Sequence, residues 1–454
     1  MNISLNKLSN NSVNKPLNKL FFYSLCTLTI YAPIPLGANR IWASSTLTFF
    51  IFSLFLVHLL STAKNKRTFL PASYSLPVIV PLTITVLWLV LQLTPGLGAF
   101  IGRSFSTLSF DPSLTHIMLL KTVALTLFAW LVFYYVNTKA LVYKFALAIL
   151  ISGLLQALYA SWLNLNEGML TPIFYIPYSK AAVGSFVYKN QLANYLALCL
   201  SVGIGVLISQ LSLNGSSHQV RHKIRDIALV LLSSKMLIRL GLIIMIIALI
   251  LTRSRMGNSA FFFALASISL FSFFFYNRKP KHLRLLILSF FIVDLILVGT
   301  IFGVEKVKQR LLDTSLASET RDEVIRDSIP MILEYPVFGS GGGSFYSSFS
   351  QYQAGPYSGF YDHAHNDYIQ FAVELGLPIT LLLGAMVLYC LFISLKCMVK
   401  RKTPLYQGIS FGCAVAIVHM LLHSTVDFSL QSPAVALLFI SILSLSLIVS
   451  KLKR

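Results

Sequence analysis

Residues 361–376 read YDHAHNDYIQFAVELG, a dense polar cluster at the head of an apolar run. His363 and His365 are side chains that can take up a proton near neutral pH. Asp367, Gln370 and Glu374 recur at helical spacing, so one helix face would carry all three. Asn366 suits a helix cap, and Asp367 suits the positive end of the helix dipole. A cap with an interfacial polar belt accounts for Asn366 and Asp367. It does not account for two histidines, or for a glutamate one or two turns into hydrocarbon, where a charge costs a few kcal/mol. Metal binding by His363, His365 and Asp367 is a second chemistry, but an H-x-H pair is a weak metal signal.

Three other stations carry residues fit for anions. In LTRSRMG, Arg253 and Arg255 flank a short turn; they read either as snorkelling interfacial arginines or as planar forks for phosphate oxygens. In GSFVYKNQLANYL, Lys189 and Asn190 open an apolar span, followed by Gln191 and Asn194. A helix start explains one asparagine and leaves the rest of that polar set over. Arg321 and Arg326 lie on a predicted loop helix, where Arg326 reads as exposed surface charge. Lys121 and Asp294 fall inside apolar runs and need partners that the sequence does not name.

The elements positioning these residues are membrane spans. The chain has 454 residues, 56% hydrophobic and only 11% charged, with mean hydropathy +0.75. Soluble domains carry about 25% charged residues. Apolar windows of roughly 20 residues recur throughout, the length that crosses a bilayer as a helix, and they do not alternate as barrel strands would. About twelve spans are expected, starting near residues 20, 41, 74, 114, 140, 186, 228, 256, 283, 367, 404 and 431. The seventh is interrupted by Lys235 and Arg239 and is better begun near Met236.

The fold class is therefore all-α and polytopic. Residues 1–303 are expected to hold about nine spanning helices, 304–366 an outer loop, and 367–454 about three more. The net charge of +21 is scattered over short loops, which argues against a nucleic-acid partner. With the N-terminus inside, roughly 24 of the 36 Lys and Arg residues fall on the cytoplasmic side, against one acid, Asp226. Both termini are then cytoplasmic and the polar stations face outward. Lys7, Lys15 and Lys19 before the first apolar run resemble a signal peptide; without a small-x-small cleavage site an uncleaved span is expected. The five cysteines sit in or beside apolar spans with no CxxC pair, so neither a disulfide framework nor a zinc site is expected.

The outer loop is long enough to be functional. SETRDEVIRDSIPMILEYP has caps at Ser318 or Thr320, acids in its first turn and apolar residues at helical spacing. An amphipathic surface helix is expected, kinked by Pro330 and ending near Pro336. FGSGGGSF reads as a flexible turn after it.

The stations, in order, resemble the O-antigen ligase/polymerase family of bacterial envelope glycosyltransferases. PIPLGANRIWA, GSFVYKNQLANYL, LTRSRMG, RDEVIRDSIPMILEYPVFGSGGGSF, HAHNDYIQFAVELGLPI and HSTVDFSLQSPA carry the resemblance from about residue 31 to 440. It implies a GT-C-like transferase of the inner membrane, without metal or other cofactor. Such an enzyme passes a glycan from undecaprenyl diphosphate to an acceptor hydroxyl on the periplasmic face. His365 would be the general base, with His363 as its rival. Arg321, Arg253, Arg255 and Lys189 would hold the diphosphate; lysine here stands where some members carry arginine. Glu374 and Asp427 would orient the base or the acceptor. Lipid A–core, another repeat unit or a protein stay open as acceptors. A flippase of lipid-linked glycans is the competing class; it predicts inverted repeats and mid-membrane charges, of which only Lys121 and Asp294 are candidates.

Overall fold

The computed structural model describes residues 16–453 except 67, 101, 104–105, 167–169, 176–180, 211–233, 276–320 and 354–360; of residues 234, 235 and 321 it describes the backbone alone. The described residues contain helices and no strand. In chain order the longer helices are α1 (Pro16–Tyr31), α2 (Ile41–Lys64), α3 (Leu76–Leu93), α4 (Pro112–Tyr135), α5 (Lys139–Leu165), α6 (Lys189–Ser209) and α7 (Ser234–Leu251). They continue with α8 (Arg255–Phe275), α9 (Arg321–Glu334), α10 (Asp367–Leu375), α11 (Leu377–Lys400), α12 (Pro404–His423) and α13 (Pro433–Lys451).

Local chemistry sets many of the ends. Asp111 caps α4 by accepting the Leu114 amide, and Thr138 caps α5 by accepting that of Leu141. Prolines 112, 404 and 433 open α4, α12 and α13, at the position where a missing N–H has no cost.

Among the described residues, nine helical segments are long and apolar enough to cross a membrane: α2, α3 with its preceding turn, α4, α5, α6, α8, α11, α12 and α13. The apolar part of α7 is the shorter Met236–Leu251, as the two interrupting cations lead one to expect. The span expected from residue 283, with Asp294, lies outside the described residues.

The span expected from residue 367 is two helices. Gly376 breaks it at φ +79, where an added Cβ would fall on the Val337 carbonyl. Pro378 then sits in the first turn of α11. The polar stripe therefore belongs to a short separate helix, and the spanning segment starts at Leu377.

The loop helix forms as α9, with Pro330 inside it. The segment after it is not the flexible turn expected. Ser340 and Gly341 donate their amides to the carbonyls of Val373 and Glu374 at 2.7 and 3.0 Å. Gln92, buried at the end of α3, accepts the Gly342 amide and donates to the carbonyls of Phe338 and Glu374. Arg103 donates to the Gly339 carbonyl at 2.9 Å while its guanidinium lies over the Tyr335 ring. Without side chains the glycines bring backbone into the core, and each buried peptide group then needs a partner.

α6, α12 and α13 form the centre, with 94, 83 and 89% of their apolar windows buried against 22% for α2 and α11. α2 and α11 turn large apolar side chains outward, among them Phe49, Leu60, Leu381 and Phe392, the surface a lipid environment requires. α6 and α12 run antiparallel and nearly touch through their backbones. A Cβ at Gly412 would lie 2.5 Å from the Ser201 carbonyl, and one at Gly408 would meet that of Gly205. Small residues permit that approach where no hydrophobic effect drives helices together. The start of α6 and the end of α12 thus share one end of the bundle.

Candidate active site

At that end the Phe428 ring gathers residues from two distant parts of the chain. His363 stacks on it at 4.3 Å between centroids, His365 meets it edge-on at 4.9 Å, and Tyr188 stacks at 5.6 Å. Tyr188 is the residue immediately before α6, so Lys189 and Asn190 follow at once; Asn190 donates to the Tyr188 hydroxyl at 2.7 Å. His365 also packs edge-on against Tyr361 and adopts φ +49. A side-chain-bearing residue keeps that left-handed conformation only where its surroundings impose it. Burial holds the His363 imidazole below its ordinary value; Asp362 pulls it up, and Lys121 pushes it further down.

α10 lies directly beneath. Asn366 caps it, accepting the amides of Tyr368 and Ile369, and donates from Nδ2 to the Thr425 carbonyl. Asp367 is buried and staples the 424–430 loop: Oδ2 accepts from Ser424 Oγ at 3.0 Å and from the Leu430 amide at 3.3 Å. Asp427, equally buried, accepts the Phe428 amide at 2.7 Å. Both acids hold the corner that presents Phe428. Burial raises the Asp367 carboxyl well above the usual range, and Asp427 adds to the shift against the hydrogen bonds from Leu430 and Ser424. Among the described residues no group of three His, Cys, Asp or Glu side chains suited to a metal forms.

Glu374 sits at the other end of α10, fully buried. Its Oε1 accepts from Gln370 Nε2 at 2.6 Å, and Gln370 Oε1 accepts the Ala364 amide at 2.8 Å. Burial pushes Glu374 up to about 7, opposed by the amides of Gly343 and Phe345, by Gln370 and by Lys121. Lys121, unassigned from sequence, thus lies within electrostatic reach of both Glu374 and His363.

The segments that carry the cations border the same end. Arg253 and Arg255 are exposed on the turn between α7 and α8, with Arg253 at φ +52. That turn packs on α6, since a Cβ at Gly257 would lie 2.7 Å from the Ala193 methyl. Arg321 opens α9. One turn on, Val324 joins Ala364, Val373, Met331, Phe345 and Phe349 in one apolar cluster, so α9 is pinned to the histidine turn. Arg326 is exposed beside Asp327, as expected.

The polar set of α6 is explained in part by packing. Gln191 accepts from Asn39 Nδ2 at 2.6 Å, and Asn194 Nδ2 lies 3.1 Å from His423 Nδ1. Gln191 thereby ties down the PIPLGAN turn, whose residues Leu36, Gly37 and Ala38 are all left-handed. Phe428 and Tyr188 escaped sequence reasoning; the one available signal was an aromatic residue inside each quoted polar motif.

Residues 240–384 match the family model of the O-antigen ligases. Over that segment the chain is similar to the O-antigen ligase family. The match covers about a third of the chain. It takes in the arginine turn, α9, the glycine segment, both histidines and Glu374, all of them parts of the candidate site. Lys189, Asp427 and Phe428 lie outside the matched segment and are brought to it by the fold. No curated protein matches the chain. That similarity supports glycan transfer, with a lipid-linked glycan and an acceptor as substrates. With its apolar helices, the chain is a multi-pass membrane protein.

Proposed function

We propose that this protein transfers a glycan from undecaprenyl diphosphate to an acceptor hydroxyl at the periplasmic face of the inner membrane. The observation that carries the reading is the meeting of His363 and His365 with the opening of α6 on one aromatic ring, Phe428.

In this reading His365 accepts the acceptor's proton as the hydroxyl oxygen attacks the anomeric carbon. The bond to the diphosphate breaks in the same displacement, with inversion. His365 is preferred over His363 because His363 lies flat on Phe428 and burial disfavours its protonated form. Lys189, Arg253, Arg255 and Arg321 take up the charge on the departing diphosphate, together with the positive end of the α6 dipole. Asn366, Asp367 and Asp427 keep the corner in shape, and Asn190 braces Tyr188.

The test is a reconstituted reaction. Purified protein in nanodiscs, given an undecaprenyl-diphosphate-linked glycan and an acceptor, should release free undecaprenyl diphosphate. His365→Ala should slow that release by about 10²–10⁴-fold, the usual worth of a general base, with donor binding retained. If His363→Ala abolishes turnover and His365→Ala does not, the base is His363. If both variants run at the wild-type rate, imidazole catalysis is wrong. Parallel arms with lipid A–core, a repeat-unit glycan and a protein acceptor decide between ligase, polymerase and protein transferase.

A further inference from the structure

We propose that Gln370 is the positioning residue that sets the His363–His365 turn, with Glu374 bracing its side-chain amide. This deepens the proposed function and rests on its imidazole base.

The turn holds an unfavourable backbone conformation at His365, so something must restrain it. Ala364, between the two histidines, is fully buried, and its amide donates to Gln370 Oε1 at 2.8 Å. Gln370 is itself 1% exposed. A side-chain amide can present either its oxygen or its NH2 group. The relay removes that freedom. The Ala364 amide can only donate, so the carbonyl must face Ala364 and the NH2 is left to Glu374, whose Oε1 lies 2.6 Å from Gln370 Nε2. Glu374 is held in turn through its own carbonyl, which accepts from Gln92 and from the Gly341 amide. The Ala364 methyl completes the anchor in the apolar cluster with Val324, Val373 and Phe345. One polar relay and one apolar contact thus fasten the residue that separates the two imidazoles.

Gln370→Leu keeps the bulk and removes the acceptor. In the full-length protein, with folding checked by thermal unfolding, kcat should fall about 10–100-fold, the effect of a small misplacement of a reacting group. The KM for the donor should stay within about twofold, since no diphosphate contact is touched. Carbethoxylation of His363 and His365 by diethyl pyrocarbonate, read by peptide mass, should speed up several-fold as the turn loosens.

The double variant Gln370→Glu with Glu374→Gln reverses the relay. The new carboxylate can accept from both the Ala364 amide and the new side-chain NH2, so kcat should recover most of the loss. Folded Gln370→Leu protein with wild-type kcat and carbethoxylation rates would overturn the proposal. So would a folded reversed pair no better than Gln370→Leu. If Gln370→Leu does not fold, the reversed pair decides alone. Should His365→Ala prove fully active, the base assignment fails, while the carbethoxylation rates still judge the turn.

Discussion

Buried acids shape the histidine corner at the scale of single residues, and their chemistry depends on burial more than on charge partners. Glu374 would ionise near the ordinary carboxyl value in an unfolded chain; in the fold, burial lifts it to about 7. Between those values the folded state holds a proton that the unfolded state has released, so folding stability from this group is full at low pH and declines as pH rises towards 7. The difference corresponds to roughly 3 kcal/mol. Glu374→Gln should therefore flatten the pH dependence of thermal unfolding between about pH 4.5 and 7. An unchanged slope in that variant would mean that Glu374 is ionised throughout. Lys121 sits close enough to stabilise the carboxylate, so Lys121→Met should move the Glu374 transition upward. This pairing was not legible in the sequence, because Lys121 and Glu374 belong to distant helices.

At the scale of elements, the decisive feature is the break between α10 and α11. Hydropathy runs on through Gly376, so a single span from 367 is the natural sequence reading, even though Gly followed by Leu-Pro is a known stop-and-restart signal. The break lets α10 carry Asp367, Gln370 and Glu374 outside the spanning helix and present Asn366 and His365 at its head. Gly376 cannot carry a side chain there, because of both its φ of +79 and the Val337 carbonyl beside it. Gly376→Ala should lower stability by about 2 kcal/mol or more, measured as a fall in unfolding temperature. Wild-type stability in that variant would show that the α10–α11 junction tolerates a different backbone path. The glycine segment before α10 departs from its sequence expectation for a related reason. Glycine suggests flexibility, whereas here it gives room for backbone amides to bond to Val373, Glu374 and Gln92.

For the whole molecule, the site exists because α6 and α12 cross closely and antiparallel. Gly205, Gly408 and Gly412 let backbone meet backbone, and that crossing brings the start of α6 to the end of α12 and so to the 424–430 loop. Gly408→Leu should force the two helices apart and remove the monodisperse peak in size-exclusion chromatography. Gly384→Leu, on α11 with nothing within 4 Å of an added Cβ, is the matched control and should behave as wild type. Equal behaviour of the two variants would mean that the crossing does not hold the bundle together.

The sequence by itself determined the helical membrane class, most span positions, the Asn366 cap and the polar stripe of α10. Each of these follows from hydropathy or from contacts within a few residues, which chain order records directly. Only the tertiary structure decided that Tyr188 and the two histidines meet on Phe428, that Lys121 comes within electrostatic reach of Glu374, and that Gln370 holds Ala364. Those contacts join residues far apart in the chain, and side-chain identity alone does not say which helix faces will pack together.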